Sequence, residues 1–197
     1  MTSSNKLLWG VLMLVFGWGV AGLVWPSSAT TEGTAVRLPV EMVADYVHAV
    51  IEADREVYTK QVVERMQAKG VVVASENWEQ KNTLPLPAQF LMESGRVMAR
   101  KGIGIQYRLI SLWPINKRNV ASSEFEKTGL GTVLTHPTKP HTGFVREGGA
   151  RFFQAIYPDL AVTQACIGCH NAHPDSPKRD FKINDVMGAM VISIPVQ

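Results

Sequence analysis

The chain has 197 residues, of which 46% are hydrophobic and 19% are charged, so it is long enough for one sizeable core but too short for two ordinary domains. These fractions, together with the lack of any internal repeat or low-complexity tract, exclude a disordered or fibrous protein. The formal net charge is only +3 and basic residues alternate with acidic ones, which disfavours nucleic acid as a partner.

The N-terminal segment is apolar. Residues 7–25 carry no charge and approach the ~20 apolar residues that span a bilayer. Lys6 precedes them and no basic residue follows before Arg37, so the remainder is expected outside the cytoplasm, on the periplasmic side of the inner membrane. We interpret the segment as a retained anchor, and the small residues up to Ala29 keep a cleaved signal peptide as the alternative. The predicted organisation is an anchor or signal peptide at 1–29, a linker at 30–38 and a domain at 39–197.

Two amphipathic helices are predicted at the start of the domain. Pro39 stands where helices favour a proline, and apolar residues then recur every three or four positions until Gly70, which predicts one long helix over residues 40–69. Asp54 falls within this apolar stripe, which predicts a buried carboxylate that is paired with a neighbour or contacts a cofactor. A shorter helix is predicted after the "LPLP" sequence and ends near Gly102.

The second half of the domain has the period of strands. Residues 105–113 are apolar on both alternating sides, which predicts a strand buried on much of both faces and stopped by Pro114. Further strands are predicted at residues 143–147, 150–157 and 188–196. Pro195 predicts that the last strand lies at a sheet edge or ends there. Helices followed by strands predict an α+β fold in which N-terminal helices flank an antiparallel sheet.

The motif that carries chemistry is Cys166-Ile167-Gly168-Cys169-His170, which has the C-x-x-C-H form of c-type haem attachment. Each thiol adds to one vinyl group of the haem, and the short spacing holds both sulfurs along one porphyrin edge. His170 then lies where it can bind the iron as proximal ligand. Such attachment occurs outside the cytoplasm, which is where the N-terminal segment directs the chain. The predicted cofactor is one covalently attached haem c.

Three other interpretations of the motif stay open at this point. A disulfide or thioredoxin-like pair between Cys166 and Cys169 suits an exported protein, but it leaves His170 unexplained and lacks the strand-to-helix setting of the redox fold. A zinc site that adds His173 has suitable ligand types, but its spacing is more compressed than in zinc fingers. A chance match with no cofactor is the third alternative.

The sequence leaves the second axial position of the iron open. A histidine there would give a low reduction potential, a methionine a higher one, and an empty position would let small ligands bind. The candidates for this distal ligand are Met92, Met98 and His48. Methionine more commonly fills gaps in a core, so none of the three stands out.

With the motif in place, the chain resembles the PAS-like haem c domains, an exported family long catalogued as a domain of unknown function. The resemblance rests on "LPLPAQFL", "LWPINKRN", "FEKTGL", "ACIGCH" and the closing "GAMVISIPV", and it covers most of residues 40–197. It implies a PAS-like antiparallel sheet with haem held near the C-terminal end. Only Cys166, Cys169 and His170 match residue by residue. Some members use a further cysteine as distal ligand, and this chain has only two.

Two functions are expected from these features. The first is a membrane-anchored periplasmic monohaem cytochrome that carries single electrons, for which one C-x-x-C-H motif suffices without further catalytic residues. The alternative is a redox or diatomic-gas (NO or CO) sensor that signals through a separate protein. Turnover as an enzyme is the less favoured reading. The expected partners are a periplasmic or membrane redox protein and the membrane itself, and a dimer with a second haem protein fits either function.

Overall fold

The computed structural model describes residues 37–197, so the predicted anchor at residues 7–25 lies outside the described residues. Within residues 37–197, no helix is both long enough and apolar enough to cross a membrane. The described part is a mixed α+β structure, as the sequence predicts.

The domain begins with a long helix over residues 40–68, which confirms the helix predicted over residues 40–69. It consists of α1 (Val40–Val57), a π-helical segment (Tyr58–Glu64) and α2 (Arg65–Ala68). The hydroxyl of Thr59 donates to the carbonyl of Arg55 at 2.7 Å, at the point where the helix changes type. The π-helical segment, called here the π segment, was not predicted.

The buried side of this helix agrees with the predicted one at Val43, Val47 and Ile51, which pack in or against the core, but not at Val50 and Asp54. Ala44 and Ile51 are buried and Arg55 is half-buried, whereas Val50 is 62% exposed. Asp54 is exposed, so the prediction of a buried carboxylate there is wrong. The side of the helix that carries Ala44 packs against the sheet. Because each residue turns a helix by about 100°, Asp54 then points to solvent and its neighbour Arg55 points inwards.

Two further helices precede the sheet: the short α3 (Trp78–Lys81) and α4 (Pro87–Arg100). Pro87 occupies the first position of α4, where a missing N–H costs nothing, and the side chain of Gln89 accepts a hydrogen bond from the Leu86 N–H at 3.0 Å. Gly102 follows the end of α4 with φ +70°. The predicted shorter helix is confirmed.

In residues 37–197 four strands form one antiparallel sheet, which confirms the predicted number. They are β1 (Gln106–Ile110), β2 (His141–Glu147), β3 (Ala150–Leu160) and β4 (Val186–Val196), in the order β1-β4-β3-β2. β2 and β3 form a hairpin whose two linking residues, Gly148 and Gly149, both have positive φ, as a tight hairpin turn requires. The sheet is therefore built from neighbouring antiparallel pairs with β4 and β3 in its interior.

The second of the two alternatives for Pro195 agrees with the structure, since β4 ends at Val196, directly after this proline. β4 does not lie at a sheet edge, because it pairs with strands on both sides; Pro195 is tolerated because it lies beyond the stretch 189–193 that pairs with β1. The extent of the first strand is corrected. β1 ends at Ile110 and does not reach Trp113. Beyond it, the Ser111 hydroxyl donates to the Met187 carbonyl at 2.7 Å and turns the chain out of the sheet.

Helices cover both faces of the sheet. On one face α1 and α4 bury Leu91, Phe153 and Ala155 against the strands. On the other face α5 (Glu124–Thr135) packs Leu130 and Val133 against Ile156. Helices therefore flank the sheet, as predicted, but α5 lies between β1 and β2 in the chain and is not N-terminal. A sixth helix, α6 (Gln164–Ala172), connects β3 to β4.

Candidate haem-binding site

The C-x-x-C-H motif lies on α6. Positions i, i+3 and i+4 of a helix share one face, so this helix turns Cys166, Cys169 and His170 towards the same side. The helix is held close to the sheet because Ala161 donates to the Asp185 carbonyl and accepts from the Asn184 N–H, both at 2.9 Å. Residues that are separated in an extended chain thus become one cluster of two thiols and one imidazole.

This cluster opens onto a cavity of about 720 Å³, which lies within the usual 300–1,000 Å³ of cofactor pockets. The cavity is lined by parts of the chain that are far apart in sequence: the π segment, α4, the end of β1 with the segment after it, β3 and α6. More of its lining is apolar than polar. In size and lining it suits a large, mostly apolar cofactor.

His170 is half-buried in the wall of this cavity. Its burial lowers the pKa of the imidazole, and Asp159 partly opposes this effect. A neutral imidazole keeps the nitrogen lone pair that binds a metal. The imidazole and the Phe181 ring form a T-shaped contact, with a centroid distance of 5.8 Å and an interplanar angle of 88°. Its Nδ1 atom is buried and has no hydrogen-bond partner among the described residues.

Both cysteines are free thiols. Cys166 is half-buried against the small cluster of Ala161, Phe181 and Met187, whereas Cys169 is exposed. Partial burial, followed in size by the nearby Glu76 carboxylate, raises the pKa of the Cys169 thiol. Both thiols therefore line the cavity, and Cys169 is the more exposed of the two.

The structure bears on the alternative interpretations of the motif. β3 ends at Leu160 and α6 begins at Gln164, so the motif does follow a strand and lie on a helix. The prediction that this strand-to-helix setting is lacking is therefore wrong, and it no longer disfavours a thioredoxin-like pair. A thioredoxin-like pair is still disfavoured because it leaves unexplained why His170 lines the same cavity as the two cysteines. Within residues 37–197, no three or more Cys, His, Asp or Glu side chains are grouped so that they could hold a metal ion, which disfavours the zinc set.

An ion pair between Arg55 and Asp159 forms part of the cavity wall. Arg55 also donates to the Leu160 carbonyl at 3.3 Å, so it joins the long helix to the end of β3. The Asp159 carboxylate raises the pKa of Arg55, which stays cationic. The sequence does not predict this pair, because its two partners are 104 positions apart.

The three distal candidates are separated by the structure. Met92 lines the cavity, whereas Met98, on the same helix, does not. His48 also lies outside this cavity, beside a second, much smaller one of about 30 Å³, where its ring stacks on that of Tyr157 at 3.9 Å. Met92 is thus the one of the three that the fold brings to the cavity of His170.

His173 and Trp113 also line the cavity. His173 follows the end of α6, and its Nε2 atom is 3.0 Å from a carboxylate oxygen of Glu76. Both residues line the cavity, so the imidazole is paired with a carboxylate there. Trp113, just beyond β1, meets the Phe181 ring at 5.7 Å, and the Lys178 ammonium lies 5.4 Å from the centre of the Trp113 ring. These contacts close the wall next to His170.

Taken together, the chain's own residues fit a covalently held haem. The cavity has a suitable volume, two free thiols stand one helical turn apart at its edge, and a neutral imidazole directly follows the second thiol. His170, Cys166 and Cys169 would hold the group, and Met92 stands in the same cavity.

Comparisons with known proteins place the chain among relatives. Residues 34–195 match the model of the Tll0287-like family. The structure is similar to the crystal structure of the cyanobacterial haem protein Tll0287, with a TM-score of 0.51 and 13% sequence identity, and the match covers 81% of this chain and 98% of that one. At this identity the structural similarity is one of fold. No curated protein matches the chain. The family match spans most of the domain and confirms the resemblance seen in the sequence: the chain belongs to the Tll0287-like family.

Proposed function

We propose that the chain is a monohaem c-type cytochrome, with thioether links to Cys166 and Cys169 and with His170 as proximal iron ligand. The observation that carries the proposal is that α6 turns these three side chains into one cavity of about 720 Å³. A family match to haem proteins supports the choice of cofactor. We further propose that Met92 completes the coordination of the iron, since it lines the same cavity.

In this account the protein carries single electrons. Haem bound to the site supplies a one-electron iron couple, whose potential is tuned by its axial ligands and its surroundings. The protein needs only to hold that group, exclude water from it and balance its charge. The Arg55–Asp159 pair places one cation and one anion together in the cavity wall. Cys169 is exposed, so the edge attached there would lie at the surface, where a redox partner can approach it.

The cellular setting is also a proposal. Thioether attachment of haem takes place outside the cytoplasm, and the apolar residues 7–25 direct the chain there. We place the domain on the periplasmic side of the inner membrane, with a periplasmic or membrane redox protein as partner.

One observation favours the sensor as a second candidate. Thr59 and Val63 of the π segment line the cavity, and this segment continues α1, which begins shortly after the predicted linker. Single turns of π-helix occur frequently at functional sites. A change of ligand in the cavity would press on the helix that leads back to the N-terminal segment, and a partner could detect the movement there.

An optical experiment with CO separates the two functions. We expect the haem-loaded domain to have a low-spin spectrum that CO does not change, because two side chains hold the iron. Met92→Ala should become high-spin and bind CO. Met98→Ala is the matched control, since this methionine lies on the same helix but outside the cavity, and its spectrum should stay unchanged. A wild-type domain that binds CO at once would contradict the electron carrier and favour the sensor.

A further inference from the structure

Asn171, the residue directly after the motif, makes a two-bond clamp on a distant part of the chain. Its side-chain Nδ2 donates to the backbone carbonyl of Phe181 at 2.9 Å, and the Phe181 backbone N–H donates to the side-chain Oδ1 of Asn171 at 3.0 Å. The amide thus pairs with Phe181 as a neighbouring strand would. This clamp fastens the segment before β4 to α6.

The clamp holds an aromatic ring against His170. Phe181 is only 3% exposed, and its ring meets the imidazole edge to face, with an interplanar angle of 88°. On other sides Phe181 contacts the ring of Trp113 at 5.7 Å and lies 4.9 Å from the Lys178 ammonium. The position of the Phe181 ring is therefore set by its backbone clamp and by these neighbours.

Within residues 37–197, no protein group orients the His170 imidazole by a hydrogen bond to its buried ring nitrogen. A metal-bound histidine almost always donates its second ring N–H to a carboxylate, a carbonyl or a water, which fixes the ring. The Nδ1 atom of His170 is buried without a hydrogen-bond partner in residues 37–197. Packing can restrain the rotation of the ring, and the T-shaped contact with the Phe181 ring provides such a restraint.

From this geometry we propose that Asn171 is a positioning residue: through the Phe181 backbone it fixes the plane of the His170 imidazole. The inference rests on the proposed ligation of haem iron by His170. Asn171 itself does not need to touch the cofactor. Its effect should be visible in any property that depends on the orientation of the ring.

Three variants test the proposal. Asn171→Ala removes both hydrogen bonds of the clamp. Asn171→Asp keeps an oxygen that can accept from the Phe181 N–H, but it loses the donor and sets a carboxylate oxygen against the Phe181 carbonyl, so it should also break the clamp. Phe181→Leu keeps an apolar side chain but removes the aromatic edge. Ser123→Ala is the control, because it removes a helix cap in α5 and so lowers stability outside the cavity wall.

The readout is the electron paramagnetic resonance spectrum of the ferric, haem-loaded protein, which reports the orientation of the axial imidazole. We expect Asn171→Ala, Asn171→Asp and Phe181→Leu to shift and broaden the principal lines. Ser123→Ala should lower the melting temperature and leave the lines in place. This contrast separates positioning from a general loss of stability.

The outcomes distinguish this inference from the proposed function. Haem-loaded Asn171→Ala and Phe181→Leu with the wild-type line positions would overturn the positioning role alone. If Asn171→Ala does not fold, Asn171→Asp and Phe181→Leu decide the matter by the same criterion. Wild-type protein whose haem is not ligated by His170 would overturn the proposed function and this inference with it.

Discussion

Glu126 shows how the fold accommodates a charge inside it. It is 2% exposed, and its carboxylate accepts hydrogen bonds from the backbone N–H and the hydroxyl of Ser122 at 2.6 and 2.8 Å and pairs with Arg108. Burial acts to raise the pKa of Glu126, but these hydrogen bonds and the Arg108 charge outweigh it, so the pKa lies below its usual value. The buried carboxylate is therefore satisfied as an anion.

We predict that Glu126→Gln lowers the free energy of unfolding by about 2 kcal/mol at neutral pH, because hydrogen bonds to a buried charge are lost. A lowered folded-state pKa stabilises the fold above the unfolded pKa, and this contribution is lost as the pH falls through the folded-state value. The difference between the wild type and the variant should therefore shrink in acid. Urea unfolding at several pH values measures it.

Glu124→Gln is the control for this prediction. Glu124 lies in the first turn of the same helix, but its side chain is 86% exposed. Its substitution should change the free energy of unfolding by less than about 0.5 kcal/mol. A Glu126→Gln variant as stable as this control at neutral pH would show that the network does not support the fold.

At the scale of the elements, the π segment shapes the cavity. Thr59 and Val63 are buried and line it, four residues apart, and Gln67 of α2 follows at the same spacing. A regular α-helix advances by 3.6 residues per turn, so a four-residue spacing drifts around its axis. The wider π turns reduce that drift and keep one side of the helix facing the cavity for three positions in succession.

We predict that deletion of Lys60 damages the cavity while the helix persists. Removing one residue rotates the following positions by about 100°, which turns Val63 and Gln67 away from the cavity. The absorption spectrum of the haem-loaded protein should change, and its melting temperature should fall. Lys60→Ala is the control, because the side chain is exposed and its ion pair with Glu56 is worth little. A deletion variant with the wild-type spectrum would contradict this role of the π segment.

The sequence predicts the elements unevenly, for physical reasons. Strands with a period of two and the long amphipathic helix are recovered because their patterns are local. Helix α5 was missed although Ser123 and Glu126 form the Ser-x-x-Glu signature of a helix start. Helix α6 offers a weaker signal, since Gly168 and two cysteines are poor helix formers, and its position between β3 and β4 depends on tertiary packing.

At the scale of the whole molecule, the cavity joins segments that are distant in the chain. The grouping of Cys166, Cys169 and His170 at one cavity can be predicted, because the three residues are close in sequence and have the C-x-x-C-H spacing. The Arg55–Asp159 pair could not be predicted, because nothing local marks two residues that meet only when the long helix packs beside β3. The choice of Met92 over Met98 likewise requires the structure, since both lie on one helix.

The most direct test of the central claim is the intact mass of the denatured protein after maturation with haem, combined with the spectrum of its pyridine complex. We predict that the wild type retains one haem through denaturation, with the spectrum of two thioether links. Cys166→Ala and Cys169→Ala should lose the haem or keep a single link, and His170→Ala should keep the covalent mass while its native spectrum changes. Haem that leaves the denatured wild type, or normal double linkage in either cysteine variant, would contradict the account.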